Sequence, residues 1–179
     1  TVLEKLTIYR LMTLIYIESE SSELVINAGF AAFELCNIQI SREPTTLQVL
    51  KEVLLLKWEL KNMTDEQLMN LPPIENEEMD VLIQIMIYVV SNTYRMNPNL
   101  TGILFLRVFR LQLKYGATTE SAMIYINYAL ILISGFNDIK QAMRFGKLAM
   151  SLADNQNSMV LKARIYFTYG IFLNGSYKN

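Results

Sequence analysis

The stretch Met79-Asp-Val-Leu-Ile-Gln-Ile-Met-Ile-Tyr-Val-Val90 decides the fold. Its apolar residues Met79, Leu82, Ile83, Met86, Ile87 and Val90 recur every three or four positions, the interval that lines one face of a helix. The same periodicity runs outward in both directions, and strict alternation over a strand length is hard to find. The spacing predicts eight helices, over 2–18, 22–38, 45–61, 77–96, 99–115, 119–134, 138–154 and 158–173, and hence an all-α chain. Only four prolines and seven glycines punctuate it, where helices should start or stop.

Several ends carry cap chemistry. Asn97-Pro98 places a side-chain acceptor before a proline at the first helical position, and Gly116 can take the left-handed conformation that ends a helix. Gly135 and Asp138 bracket another turn. Within the least regular stretch, Thr64-Asp-Glu-Gln67 has the form of a capping box that opens a short helical turn before Pro72-Pro73 stops it. We read one helical-repeat domain over 1–179, with a front half 1–60, a connection 61–78 and a back half 79–173. Thr1-Val-Leu-Glu-Lys lacks an initiator Met and any signal layout, which reads as a cut inside a longer chain. The closing Asn174-Gly-Ser-Tyr-Lys-Asn179 reads as a frayed end.

Composition narrows the chemistry. Of 179 residues, 52% are hydrophobic and 18% charged, with 16 Lys+Arg against 17 Asp+Glu, which excludes disorder and supplies no basic field for nucleic acid. Mean hydropathy is +0.23, but only short apolar runs occur, such as Leu82–Val90, which Gln84 interrupts, against the ~20 residues of a membrane span. The chain has no histidine and a single cysteine, Cys36. That removes histidine-based nucleophile activation, a phosphoacceptor histidine, an internal disulfide and a multi-cysteine zinc site. No phosphate-binding glycine loop is present, and neither a cofactor nor a metal is expected. The acids Glu75, Glu77, Glu78 and Asp80 are read as complements of a helix dipole, and Cys36 as a small core hydrophobe. A basic and aromatic cluster around Tyr94, Arg95, Lys114 and Tyr115 is read as helix-end cations and packed rings, with an anion site as the alternative.

An internal repeat is the most informative feature. Tyr9, Met12, Thr13 and Tyr16 precede Val25, Gly29, Ala32 and Leu35, while Tyr125, Tyr128, Ala129 and Leu132 precede Ala142, Gly146, Ala149 and Leu152 with one extra residue between the sets. Large residues on a first helix and small ones where the second crosses it match the tetratricopeptide pattern. Gly29, Ala32, Ala129, Ala142, Gly146 and Ala149 are the small positions expected to allow close helix packing. Both copies place Gly where the consensus prefers an aromatic, and helices 45–115 fit it poorly. An irregular helical bundle is the alternative to an array of stacked antiparallel pairs, an α-α superhelix.

Beyond spacing, Asn97-Pro98-Asn99-Leu100, Leu111-Gln-Leu-Lys-Tyr-Gly116, Glu120-Ser-Ala122 and Gly135-Phe-Asn-Asp-Ile139 resemble the helical-repeat region of large bacterial multidomain signalling proteins. Phe145-Gly146-Lys-Leu-Ala149, Lys162-Ala163 and Leu71-Pro72-Pro73 are similar as well, whereas Ala117-Thr-Thr119 departs from the usual Asn-Ser-Pro. In that family a Ser/Thr-kinase-like domain and an AAA-type ATPase precede the repeats, and GAF and histidine-kinase or other output modules follow. The resemblance implies a cytoplasmic, non-catalytic segment of a two-component or kinase system that couples partner binding to the nucleotide-binding and output domains.

The partner expected is a protein, a peptide or a neighbouring domain of the parent chain, with homo-oligomers also compatible. In a tetratricopeptide array the first helices line the concave side, which assigns Thr7, Arg10, Leu14 and Ile17 to a groove in the first pair, and Met123, Ile126, Leu130 and Ile133 in the last. A stand-alone bacterial receptor for a signalling peptide is the alternative function. A helical enzyme working only with carboxylates and tyrosines is the third.

Overall fold

The computed structural model describes residues 1–174, with side chains through residue 171, and the closing stretch from Gly175 on lies outside the described residues. It is all-α, with no strand among the described residues. The helices are α1 (Val2–Glu18), α2 (Ser22–Leu35), α3 (Thr46–Leu60), α4 (Asp65–Met69), α5 (Glu77–Thr93), α6 (Pro98–Tyr115), α7 (Ser121–Phe136), α8 (Ile139–Asp154) and α9 (Met159–Thr168), followed by a π-helical turn, Tyr169–Asn174. Each of the eight expected helices has its counterpart, and the ninth is the capped turn at α4.

Local chemistry sets most boundaries. Asn97 Oδ1 accepts the Leu100 N–H at 3.0 Å, with Pro98 at the first helical position, and Thr64 and Gln67 close a reciprocal capping box. Thr1 with Glu4 and Thr45 with Gln48 form two more such boxes. Helix α2 stops at Leu35 rather than near residue 38. There Asn37 takes φ 54°, and its N–H and that of Ile38 bond back to Glu34 and Phe33, the double closure of a Schellman motif. Glu20 closes α1 the same way at φ 55°, with Ser21 N–H donating to Tyr16. After α7 it is Asn137, at φ 50°, that turns the chain, and Gly135 stays within the helix. Gly116 does end α6, but at φ 120°, ψ 172°, an extended conformation open to glycine and outside the left-handed helical well.

The chain divides into two compact units, one of Thr1–Lys61 with Pro73–Gly116, the other of Asn62–Pro72 with the chain from Ala117 on. This grouping differs from halves separated at 61–78: α5 and α6 join the front helices, and the first part of the connection belongs with α7–α9. In the first unit α1, α2 and α5 pack mutually, α6 packs on α5, and α3 packs on α6. Leu6, Val25, Phe33, Val53, Leu56, Ile85, Met86 and Val89 are fully enclosed. A Cβ at Gly29 would run into Val89 Cγ2, so this glycine lets α5 close on α2; its service is to the α2–α5 approach. Thr93 and Thr101 share a buried hydroxyl–hydroxyl hydrogen bond of 2.9 Å that ties the α5–α6 corner.

In the second unit α7 packs on α8, and α9 packs on both. Phe145 receives Tyr125 and Tyr128 edge-on at ring separations of 5.9 and 4.8 Å, a favourable geometry for the ring quadrupoles. Burial beside the Asp138 carboxylate pushes the Tyr128 phenol far above its ordinary range, so it stays neutral. The segment 62–72 is an ordered clasp on these helices. Tyr125 donates its hydroxyl to the Leu68 carbonyl at 2.8 Å, Arg144 pairs with Asp65 and donates to the Met63 carbonyl at 3.0 Å, and Ala117 N–H donates to Pro72 at 2.7 Å.

Candidate functional site

The expected groove residues scatter. Leu14 is exposed on α1, whereas Thr7 and Ile17 are half-buried and Arg10 reaches across to Gln84 of α5 at 3.0 Å, which in turn donates to Asp80. Because α5 lies against both α1 and α2, the Arg10 side of α1 is covered. In α7, Met123, Leu130 and Ile133 are half-buried and Ile126 is fully buried, so Ile126 is a core residue and no part of an open groove. The small positions Gly29, Ala32, Ala129, Ala142, Gly146 and Ala149 are all buried.

The chemistry-bearing clusters are placed as follows. Tyr94 and Arg95 stand exposed at one end of the α5–α6 hairpin, and Lys114 and Tyr115 sit at its other end, where Lys114 Nζ lies 4.7 Å from the Tyr115 ring centre. They form no single anion site. Asn76 caps α5 by accepting the Met79 N–H at 3.0 Å, with Glu77, Glu78 and Asp80 in the first turn. Among the described residues no group of acids and cysteine is placed to hold a metal. Partial burial and the negative charge of Glu78 both push the Cys36 thiol up, which disfavours the reactive thiolate.

What the structure does present is open apolar surface on helices. On α1, Ile8, Leu11 and Ile15 form an exposed stripe turned away from Arg10, and Leu14, one turn on from Arg10, extends it. On α3, Leu47, Leu50, Leu54 and Trp58 form a second, with Leu47 74%, Leu54 59% and Trp58 75% exposed. Met159, Val160 and Phe167 of α9 are open as well.

The inner side of α3 combines buried apolar residues with an ion network. Glu52, buried, pairs with Arg107 at 2.6 Å and with Arg110 at 3.0 Å, and Arg110 also grips Glu59 at 2.7 Å. The Glu59 hydrogen bond foremost holds the Arg110 guanidinium above even its ordinary value, so it remains charged throughout. A buried ion network of this kind contributes little net stability but fixes orientation. Here it turns Val53, Leu56 and Leu60 inward with the acids and leaves the leucine and tryptophan edge outside. The sequence held the signal in two apolar faces on one helix. The partnership of acids seven residues apart on α3 with arginines three apart on α6 is long-range and was not legible.

Among the described residues no helix is long and apolar enough to cross a membrane. Compared with known proteins, the chain matches no family model, no curated protein and no solved structure.

Proposed function

We propose that this chain is a non-catalytic interaction and signal-transmission module, a tetratricopeptide-like segment of a cytoplasmic bacterial signalling ATPase or sensor kinase. The observation that carries the interaction reading is α1. The helix is apolar around its circumference, yet Ile8, Leu11, Leu14 and Ile15 lie open, and helices of that composition are normally enclosed in their working assembly. We assign this face to packing against a neighbouring part of the parent protein. A shift in that packing then biases output, for which a coupling of about 1–3 kcal/mol suffices.

Two measurements test the reading. On a denaturing blot of the source cells, an antibody to this segment should mark a polypeptide several times larger than 20.7 kDa; a band at that mass overturns the multidomain reading in favour of a stand-alone peptide receptor. Within the parent protein, Leu11→Glu with Ile15→Glu should uncouple stimulus from output while the isolated chain keeps its helical circular dichroism. Unaltered coupling would remove α1 as the contact.

A further inference from the structure

We propose that the outward face of α3 docks an amphipathic helix of another protein, one whose apolar stripe is flanked by carboxylates. The proposal rests on the reading of the chain as an interaction module and adds a second face with a defined partner. Leu47, Leu50, Leu54 and Trp58 follow one another at steps of three, four and four, the spacing by which helices interdigitate. Leu47, Leu50, Leu54 and Leu55, with Gln48 and Lys51, line a groove of about 460 Å³. From Leu47 to Trp58 the stripe runs about 16 Å, three helical turns, so a partner helix of similar length covers it.

Charge decides among occupants. Both carboxylates of α3, Glu52 and Glu59, are held by Arg107 and Arg110 on the opposite side of the helix. At 100° per residue, Lys51 lies beside the leucine stripe and Lys61 closes its C-terminal end, and both are exposed. The face is therefore apolar with lysines on its border, and both acids of α3 itself are engaged on the other side. A second copy of α3 brings no free carboxylate on its own helix, since Glu52 and Glu59 are engaged, whereas a foreign helix can bring carboxylates to Lys51 and Lys61. A membrane surface is the weaker match, because two exposed lysines supply little attraction to anionic lipid and a groove fits a ridge of side chains better than a plane.

Trp58 is the only tryptophan in the chain and stands in the site, so its emission reports occupancy directly. The full 179-residue chain is titrated with two synthetic helices of equal leucine spacing, one flanked by Glu and one by Lys. The acidic peptide should shift Trp58 emission to shorter wavelength and bind at least ~10-fold tighter than its basic twin, the advantage shrinking as salt is raised. Leu54→Glu, at an exposed position, should weaken the acidic peptide by ~10-fold or more, and Lys51→Glu should narrow or invert the preference between the two peptides.

Equal binding of both peptides, a shift produced by phosphatidylserine vesicles and by neither peptide, or a concentration-dependent shift with dimer sedimentation in the absence of peptide would each overturn the proposal, the last two naming a lipid surface or a second copy instead. The α1 variant Leu11→Glu/Ile15→Glu should titrate like the parent chain. A failed peptide titration thus leaves the α1 reading standing, and failure at α1 leaves the α3 site standing.

Discussion

The pairs α1–α2 and α7–α8 carry the same spacing of large and small residues, yet they are built to different degrees of closure. Position by position, half-buried Tyr9 corresponds to Tyr125, which is enclosed and clasps Leu68; exposed Ile8 corresponds to buried Ile124; and small Ala28 corresponds to Phe145, the hub of an aromatic cluster. The second pair is sealed within its own unit by the clasp 62–72 and by α9, whereas the first is covered by α5 on one side and open on the other. The shared spacing therefore does not decide how far each pair is enclosed. What covers their remaining faces depends on neighbours the pattern does not encode.

The largest test of this contrast removes the hub. Phe145→Ala should destabilise the second unit by about 3–5 kcal/mol, measured as a lowered urea midpoint by circular dichroism, since it deletes an enclosed ring together with two edge-to-face partners. Leu11→Ala on the open face of α1 should change the midpoint within about 0.5 kcal/mol. Comparable losses at both sites would mean that the α1 face is covered in the isolated chain.

Next in size is the glycine shared by both pairs. Gly29→Ala places a methyl on Val89, a β-branched side chain with little room to turn aside, and should cost about 1–3 kcal/mol despite the better helix propensity of alanine. Gly135→Ala, which meets nothing within 4 Å, should instead gain about 0.5 kcal/mol. If Gly29→Ala were neutral, α5 would not be pressed against α2, and the three-way packing of the first unit would be looser than described.

Helices and caps were legible because each is a local rule. Periodicity locates helices, and Asn97-Pro98 and Thr64–Gln67 announce their starts, whereas Gly29 announced a close approach without naming α5 as its partner. The expectation about Ile126 failed because a tetratricopeptide template assigns it an open face by register alone, and register says nothing about later elements that cover it. Likewise the clasp depends on Tyr125 meeting a carbonyl 57 residues away and on Arg144 meeting Asp65, partners that no window of sequence holds together. The α3 stripe was hidden for the opposite reason. A helix with apolar residues on both sides reads as buried, and only the Glu52–Arg107–Arg110–Glu59 network reveals which side faces out.

The finest test compares the turns that close the first helix of each pair. Glu20 and Asn137 each lie in the turn that closes the first helix of their pair and adopt nearly the same left-handed backbone, φ 55° and 50°. Asparagine tolerates that conformation because its short amide can bond locally, while glutamate has no such compensation and its Cβ crowds the following carbonyl. Glu20→Gly should therefore raise stability by about 0.5–1 kcal/mol, and Asn137→Gly by less, read from urea midpoints of the two variants. The inequality matters more than either value. A larger gain at Asn137 would mean that Glu20 is stabilised in place by its surroundings, and that the α1–α2 turn is as tightly determined as its counterpart in the sealed pair.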